Sequence, residues 1–281
     1  MFENAVYKQK LTDSEFEKLS GFIYREYGIR LAPIKKTMLE GRLQKRLKVN
    51  NIPNFKEYID FLFSDLGLQK ELIHMVNVVT TNKTDFFREN EHFEFMSNQV
   101  LPEFCKNSPR ETFKVWSSAC SSGEEPYTIS MVIEEFNAAH QQIPYSIHAT
   151  DLSTEILGKA INAVYSLERV ADIPLTLKQK YLLKSKDKEK PTVRVKKNLR
   201  EKITFNRLNL MDDSYDVAQG FDLIFCRNVL IYFDKETQEK VINKLCRHLK
   251  PGGYFFLGHS ESVTNMTVPL EHVKPTIFRK K

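Results

Sequence analysis

The sequence predicts an α/β fold: a mostly parallel sheet with helices between its strands, preceded by an all-α region and interrupted by a small antiparallel β insertion. Three observations predict it. From about residue 113, short β-prone apolar runs alternate with stretches of helical periodicity, the pattern of parallel strands joined by crossover helices. Residues 1–80 carry helical spacing alone. Residues 178–202 switch to a two-residue alternation that breaks the strand and helix rhythm.

The helical region opens with Thr12 and Glu15 in a capping-box pattern, followed by Phe16, Leu19, Phe22, Ile23 and Tyr27 at helical spacing. A second helix is expected over residues 35–49, where Leu39, Leu43 and Leu47 form one stripe. Lys35, Arg42, Lys45 and Arg46 fall on an arc beside that stripe, so a basic surface borders a buried seam. Such a face is most often simply solvated. Further helices fit residues 55–63 and 72–79, which sets an expected domain boundary near residue 80. The second domain, 81–281, has expected strands at 113–117, 145–150, 203–206, 221–226, 254–258 and 276–279. A helix over 235–249 should end at a Pro251-Gly252-Gly253 turn. Within the insertion, at about 175–202, Val193 and Val195 alternate with Arg194 and Lys196, which reads as an antiparallel hairpin.

The turn after the first strand points to a ligand. Residues 116–127 read WSSACSSGEEPY: the end of a strand, a small polar loop, two adjacent carboxylates, and Pro126 in the first turn of a helix continuing through Ile129, Val132, Ile133 and Phe136. The next strand ends at Asp151, about where a nucleotide-binding α/β unit places its ribose-binding acid. Gly123 is the only glycine in the turn, so no dinucleotide fingerprint is present, and Glu124 and Glu125 would repel a pyrophosphate. A cationic, nucleoside-containing ligand suits these acids. Taken alone, Asp151 is better read as a cap for the helix that follows it.

Composition narrows the function classes. Of the net charge of +6 over 281 residues, the stretch 178–202 supplies an excess of eight: eleven Lys and Arg against Asp187, Glu189 and Glu201, which leaves −2 for the remainder. A uniformly basic nucleic-acid binder would not show this distribution, whereas one basic module on a near-neutral domain would. Cys105, Cys120, Cys226 and Cys246 are scattered and read as reduced packing residues. The N-terminal MFENAVYKQK has no apolar core of a signal peptide and no run approaches a membrane span, so a cytoplasmic protein without direct membrane insertion is expected. His74, His92, His140, His148, His248, His259 and His272 lack the spacing of a metal cluster, and no metal is expected.

Six segments, in order, resemble the CheR-type chemotaxis receptor methyltransferases: TTNKTDFFRE at 80–89, ACSSGEEPY at 119–127, ATD at 149–151, NL at 209–210, FCRNVLIYF at 225–233 and LGHSES at 257–262. The resemblance spans nearly the whole chain. It implies an N-terminal helical domain, a doubly wound S-adenosylmethionine-dependent methyltransferase domain and an inserted β-subdomain. The implied activity is transfer of a methyl group to receptor glutamate side chains, giving methyl esters and S-adenosylhomocysteine and so adapting chemotactic signalling.

Carried over by motif, the implied cofactor contacts are Asn82, Thr84, Arg88, the Glu124-Glu125 pair, Asp151, Asn209, Leu210, Asn228 and Val229. Asp151 suits the ribose hydroxyls, a glutamate of the pair the ammonium, Arg88 the carboxylate by a charge-assisted bond, and Asn209 with the backbone near it the adenine edge. Which of Glu124 and Glu125 points inward is left open by the sequence. The nucleophile is an ionised glutamate of the receptor, so no general base is required. Arg227 and Tyr232 are candidates for positioning that carboxylate. Phe86, Phe87, Phe233 and, on its other reading, Tyr232 read as core or pocket wall, and His259 as structural.

On this resemblance the partners are the cytoplasmic, Glu- and Gln-rich methylation helices of membrane chemoreceptors, met at receptor arrays on the inner face of the membrane, with Arg42, Lys45 and Arg46 as substrate-binding candidates. Some family members grip a receptor C-terminal peptide with a glycine-rich loop of the β-subdomain. Residues 184–190 here hold no glycine, which argues against such a tether. Two other readings of the chain are a nucleic-acid methyltransferase using the basic insertion and a silent adaptor that senses S-adenosylmethionine. The first lacks the Asn/Asp-Pro-Pro-aromatic motif of enzymes acting on exocyclic amines; receptor methylation assays separate the second.

Overall fold

A computed structural model describes residues 9–108, 110–187 and 189–281. The N-terminal MFENAVYKQK, where no signal peptide is expected, lies mostly outside this range, as does Lys188 in the glycine-free loop. The N-terminal helices are α1 (Asp13–Tyr27), α2 (Lys36–Val49), α3 (Phe55–Leu62), α4 (Asp65–Lys70) and α5 (Leu72–Val79). Both halves of the capping box form at α1: the Glu15 N–H donates to the Thr12 hydroxyl at 3.2 Å and the Thr12 N–H to the Glu15 carboxylate at 2.8 Å. Leu39, Leu43 and Leu47 of α2 are fully buried against Phe16, Leu19 and Ile23 of α1 and against Tyr58, Ile59 and Met75. Burying each such leucine is worth roughly 1.5–3 kcal/mol.

The chain continues through α6 (Glu91–Phe95), a π-helical turn at Met96–Val100 and α7 (Leu101–Asn107) into β1 (Phe113–Ser117). Then follow α8 (Glu124–Ala139), β2 (Tyr145–Asp151), α9 (Thr154–Asn162), β3 (Val164–Ser166), α10 (Leu175–Tyr181), β4 (Leu182–Lys184), β5 (Thr192–Val195), α11 (Lys197–Arg200), β6 (Ile203–Arg207), β7 (Phe221–Cys226), α12 (Lys235–His248), β8 (Leu249–Leu257), β9 (Leu270–Lys274) and β10 (Ile277–Lys280). The large sheet has the order β6-β2-β1-β7-β8-β10-β9, with β10 antiparallel to both neighbours and the remaining pairs parallel. Period-two alternation sorts its side chains onto two faces. Val115, Leu223, Phe225 and Phe256 enter one core, while Trp116, Ile224, Cys226 and Phe255 enter the other. The chain winds outward from β1 to β2 and β6, then returns to lay β7 on the other flank of β1. That reversal opens a crevice at the carboxyl ends of β1 and β7.

Several elements depart from expectation for identifiable reasons. The Pro251-Gly252-Gly253 segment is inside β8, where Phe221 pairs with Leu249 but Leu223 with Tyr254, so the turn residues form a bulge within a strand. A sheet of β3-β5-β4 forms the insertion, which therefore begins at Val164, ahead of residue 175. Three residues are too few for β3 to show a period. Strand β9 escaped detection because only Leu270 is buried and its identity comes from pairing with β10.

Candidate active site

The crevice is lined from six directions. The ends of β1, β2, β6 and β7 contribute Ser118, Ser121 and Glu125, then Asp151, then Leu208, Asn209 and Leu210, then Arg227, Asn228, Val229, Tyr232 and Phe233. The helical domain supplies Tyr27, Ile29, Arg30, Leu31, Lys35 and Met38, and the strap between the domains supplies Thr80 to Asp85 and Arg88. The predicted residues Asn82, Thr84, Arg88, Glu125, Asp151, Asn209, Leu210, Arg227, Asn228, Val229 and Tyr232 thus converge on one cavity. Glu124, Arg42, Lys45 and Arg46 are not among its lining residues.

The turn between β1 and α8 is built by backbone exchange with its neighbours. The Ser118 N–H donates to the Phe225 carbonyl at 2.9 Å and the Cys120 N–H to the Thr150 carbonyl at 2.8 Å, while Trp116 Nε1 reaches the Thr150 hydroxyl. Gly123, at φ 93°, starts α8 in the left-handed region, and a Cβ there would stand 2.9 Å from the Ala160 Cβ. The helix then sends its first two side chains apart. Glu125 turns to the cavity, accepting the Ser117 hydroxyl at 2.6 Å and Arg227 Nη1 at 3.2 Å. Glu124 turns away, fully buried, and is held by Arg169 and the Ser122 hydroxyl. The ambiguity between neighbours is resolved by these two arginines, neither of which the turn sequence contains.

Burial pushes the Glu125 carboxyl above its ordinary value, against the pull of Arg227 and the Ser117 hydroxyl. Asp151 is also raised by burial, although it accepts N–H groups from Ser121 at 2.8 Å and Ser153 at 3.0 Å, one on each oxygen. The cap of α9 is Ser153, whose hydroxyl accepts the Ile156 N–H, so the capping alternative for Asp151 is replaced by a brace between two loops.

Arg227, expected to position substrate, is heavily engaged within the protein. Its guanidinium is buried and donates to Glu89, Glu125 and the Arg88 carbonyl, over the faces of Phe93 and Phe225. Glu89 in turn accepts Arg227 through Nε and Nη2, the Asn228 side chain at 3.1 Å and the His259 N–H at 3.2 Å. Burial opposes ionisation of Glu89, but Arg227 and these donors outweigh it and hold the carboxyl below its usual value. Asn228 sits at φ 56° and its N–H donates to Glu261, which also accepts the N–H groups of Leu230 and Gly258. A Cβ at Gly258 would be 2.5 Å from the Asn228 amide nitrogen, so the glycine of the LGHSES segment admits this loop. Glu261 was visible in that motif; its part as the loop's anchor was not.

Glu89, His92 and His259 bring one potential metal-ligand atom each to within 4.8 Å, a cluster their sequence spacing hides. His92 is buried, with Nε2 at 2.8 Å from the Thr276 hydroxyl and Nδ1 3.7 Å from Glu89; burial, then Arg227, push it down to about 3. Because Glu89 already accepts four N–H groups, the cluster has the character of a hydrogen-bonded hub.

The Asn209 side chain bonds backbone: its oxygen accepts the Met211 N–H and its amide donates to the Glu26 carbonyl. It joins the helical domain to the loop after β6. The basic helix is divided by its contacts. Arg46 forms a fork with Glu71, at 2.8 and 2.6 Å, and Tyr58 donates to the same carboxylate at 2.8 Å. Arg42 binds the carbonyls of Val79 and Thr80 and the Thr81 hydroxyl, closing the end of α5 where the strap departs. Both half-buried guanidiniums, expected to meet substrate, are tied to neighbouring elements of this chain, and Lys45 remains exposed.

Family comparisons agree with the two-part architecture. Residues 14–80 match the CheR methyltransferase all-alpha domain and residues 82–278 the CheR methyltransferase SAM binding domain. The chain is 38% identical over 275 residues to a chemotaxis protein methyltransferase of Borreliella burgdorferi, covering 96% of this chain and 95% of that one. It is 36% identical to the protein of the same name from Salmonella typhimurium, over 91% of this chain and 86% of that one. The corresponding Escherichia coli protein is 35% identical, over 91% and 87%.

Proposed function

This chain belongs to the CheR methyltransferase family, and from that premise we propose that it methylates glutamate side chains of chemotaxis receptors at the cavity above β1 and β7. The observation that carries the reading is the paired polarity of the cavity wall: Glu125 and Asp151 on the strand ends, and Arg88 on the strap facing them. The residues fit S-adenosylmethionine. Glu125, with one oxygen on Ser117 and one on Arg227, keeps lone pairs for an ammonium, and a cation there relieves the burial that raises its carboxyl. Asp151 retains an acceptor position on each oxygen for the two ribose hydroxyls. Arg88 offers the charge that suits a carboxylate, and Asn82, Thr84, Leu210, Asn228 and Val229 complete the enclosure with the backbone near Asn209. When bound, the cofactor supplies a methyl group on a cationic sulfur, which a glutamate oxygen takes as the carbon–sulfur pair returns to sulfur.

No proton moves in that exchange, so the protein's work is alignment and exclusion of water. Tyr232 and Phe233 from the loop after β7, with Ile29, Leu31 and Met38 from the helical domain, make an apolar approach to the cavity. Tyr232, at the cavity wall, is the candidate for positioning an incoming carboxylate. Lys35 at the cavity and Lys45 on the exposed side of α2 give the approach a positive potential suited to Glu-rich helices of receptors on the cytoplasmic side of the membrane. Among the described residues no helix is long and apolar enough to cross a membrane.

Incubation with methyl-labelled S-adenosylmethionine and receptor-enriched membranes tests the activity. Label on the receptor that alkali releases as methanol is the expected product, whereas alkali-stable label, or label on RNA, would overturn the reading.

A further inference from the structure

We propose that Arg169, carried by the small β-subdomain, is a positioning residue of the cofactor cavity. Arg169 lies in the one-turn helix Glu168–Val170 between β3 and α10, outside the recognised motifs. Its guanidinium makes three contacts with two separate pieces of the cavity wall. Nη2 donates to the Thr84 carbonyl at 2.7 Å and to the Glu124 carboxylate, and Nη1 donates to Asp85 at 3.1 Å. Thr84 and Asp85 belong to the strap that also carries Asn82 and Arg88, while Glu124 is the first residue of α8 and the neighbour of Glu125.

The chemistry of Glu124 makes this contact consequential. Its side chain is fully buried, and besides the Ser122 hydroxyl its charged partner is Arg169. A carboxylate so placed needs a cation, and the cation comes from the inserted subdomain. A second bond runs the same way: the Tyr165 hydroxyl of β3 donates to the Ser122 carbonyl at 2.7 Å. The subdomain therefore grips the β1–α8 turn at Ser122 and Glu124 and the strap at Thr84 and Asp85, and fixes one relative to the other. Glu125 and Arg88, which bear opposite charges on those two pieces, are held relative to each other by this grip. The small sheet is thereby part of the cofactor site.

This inference rests on the cofactor reading given above, and the test separates the two. S-adenosylhomocysteine binding and thermal melting are measured on the full chain for the wild type, R169A, R169K and the double variant E124Q/R169A. Wild-type binding is expected; its absence would overturn the cofactor reading and this proposal with it. R169A should weaken binding about tenfold and raise the KM for S-adenosylmethionine, with kcat at saturating cofactor close to wild type. R169K, which keeps the charge and loses the fork, should fall between. In E124Q/R169A no uncompensated buried carboxylate remains, so the melting temperature should recover while binding stays weak, because Thr84 and Asp85 still lack their donor. Wild-type affinity in R169A, or recovery of affinity together with melting temperature in the double variant, would overturn the proposal.

Discussion

Two buried arginine–glutamate networks, one in the helical domain and one beneath the cavity, use the same chemistry to opposite ends. In the first, Arg46 forks onto Glu71, Tyr58 adds a third donor, and the bonds outweigh burial, so the Glu71 carboxyl lies below its ordinary value. In the second, Arg227 is divided between Glu89 and Glu125. Glu89 takes the larger share and is lowered; Glu125 is left raised by burial and facing the cavity. A saturated carboxylate ties helices together. An undersaturated one at a cavity wall awaits a cation.

The comparison can be broken at its structural end first. Replacing Arg46 by Ala leaves Glu71 buried without its partner, which should cost about 3–5 kcal/mol of stability in chemical denaturation, with cofactor affinity of the folded fraction unchanged. A loss below about 1 kcal/mol would mean the fork is solvent-screened. At the cavity end, Glu125→Gln should cost about 1.5–3 kcal/mol of cofactor binding, roughly 10- to 100-fold, without lowering the melting temperature. Because burial raises the folded carboxyl of Glu125 above its unfolded value, its ionised form is a liability in the empty protein that glutamine removes.

The pH dependence should run in opposite senses. Glu71, lowered in the folded state, contributes stability present above the unfolded carboxyl value and lost as pH falls through the folded one. Glu125, raised in the folded state, contributes stability only below its unfolded value and loses it as pH rises through the folded one. Cofactor affinity should therefore fall on acidification beginning above the ordinary glutamate range, and that fall should flatten in Glu125→Gln; calorimetric titration between acid and neutral pH checks it. The smallest effect is expected at Lys45, exposed on α2. Its replacement by Ala should raise the KM for receptor severalfold at low salt and leave stability within about 0.5 kcal/mol.

Much of this was legible in the sequence because it is local. The period of Leu39, Leu43 and Leu47, the Thr12 to Glu15 box and the strand ending at Asp151 need no distant partner to declare themselves. The cavity residues were legible by motif resemblance, and their convergence follows from the switch in strand order. What the sequence hid is set by partners far along the chain. Glu124 and Glu125 are adjacent and alike, and it is partners such as Arg169 and Arg227, far along the chain, that distinguish them. Arg42 and Arg46 share an arc with Lys45, yet the end of α5 and Glu71 take them out of solution. The Asn228 loop depends on Gly258 and Glu261, thirty or more residues on.

The central claim is that Glu125 meets the amino end of the cofactor. Calorimetric titration of wild type and Glu125→Gln with S-adenosylhomocysteine and with its analogue lacking the amino group tests it most directly. The predicted result is that loss of the amino group weakens binding to the wild type by tenfold or more and to the variant hardly at all. An equal penalty in both proteins would contradict it.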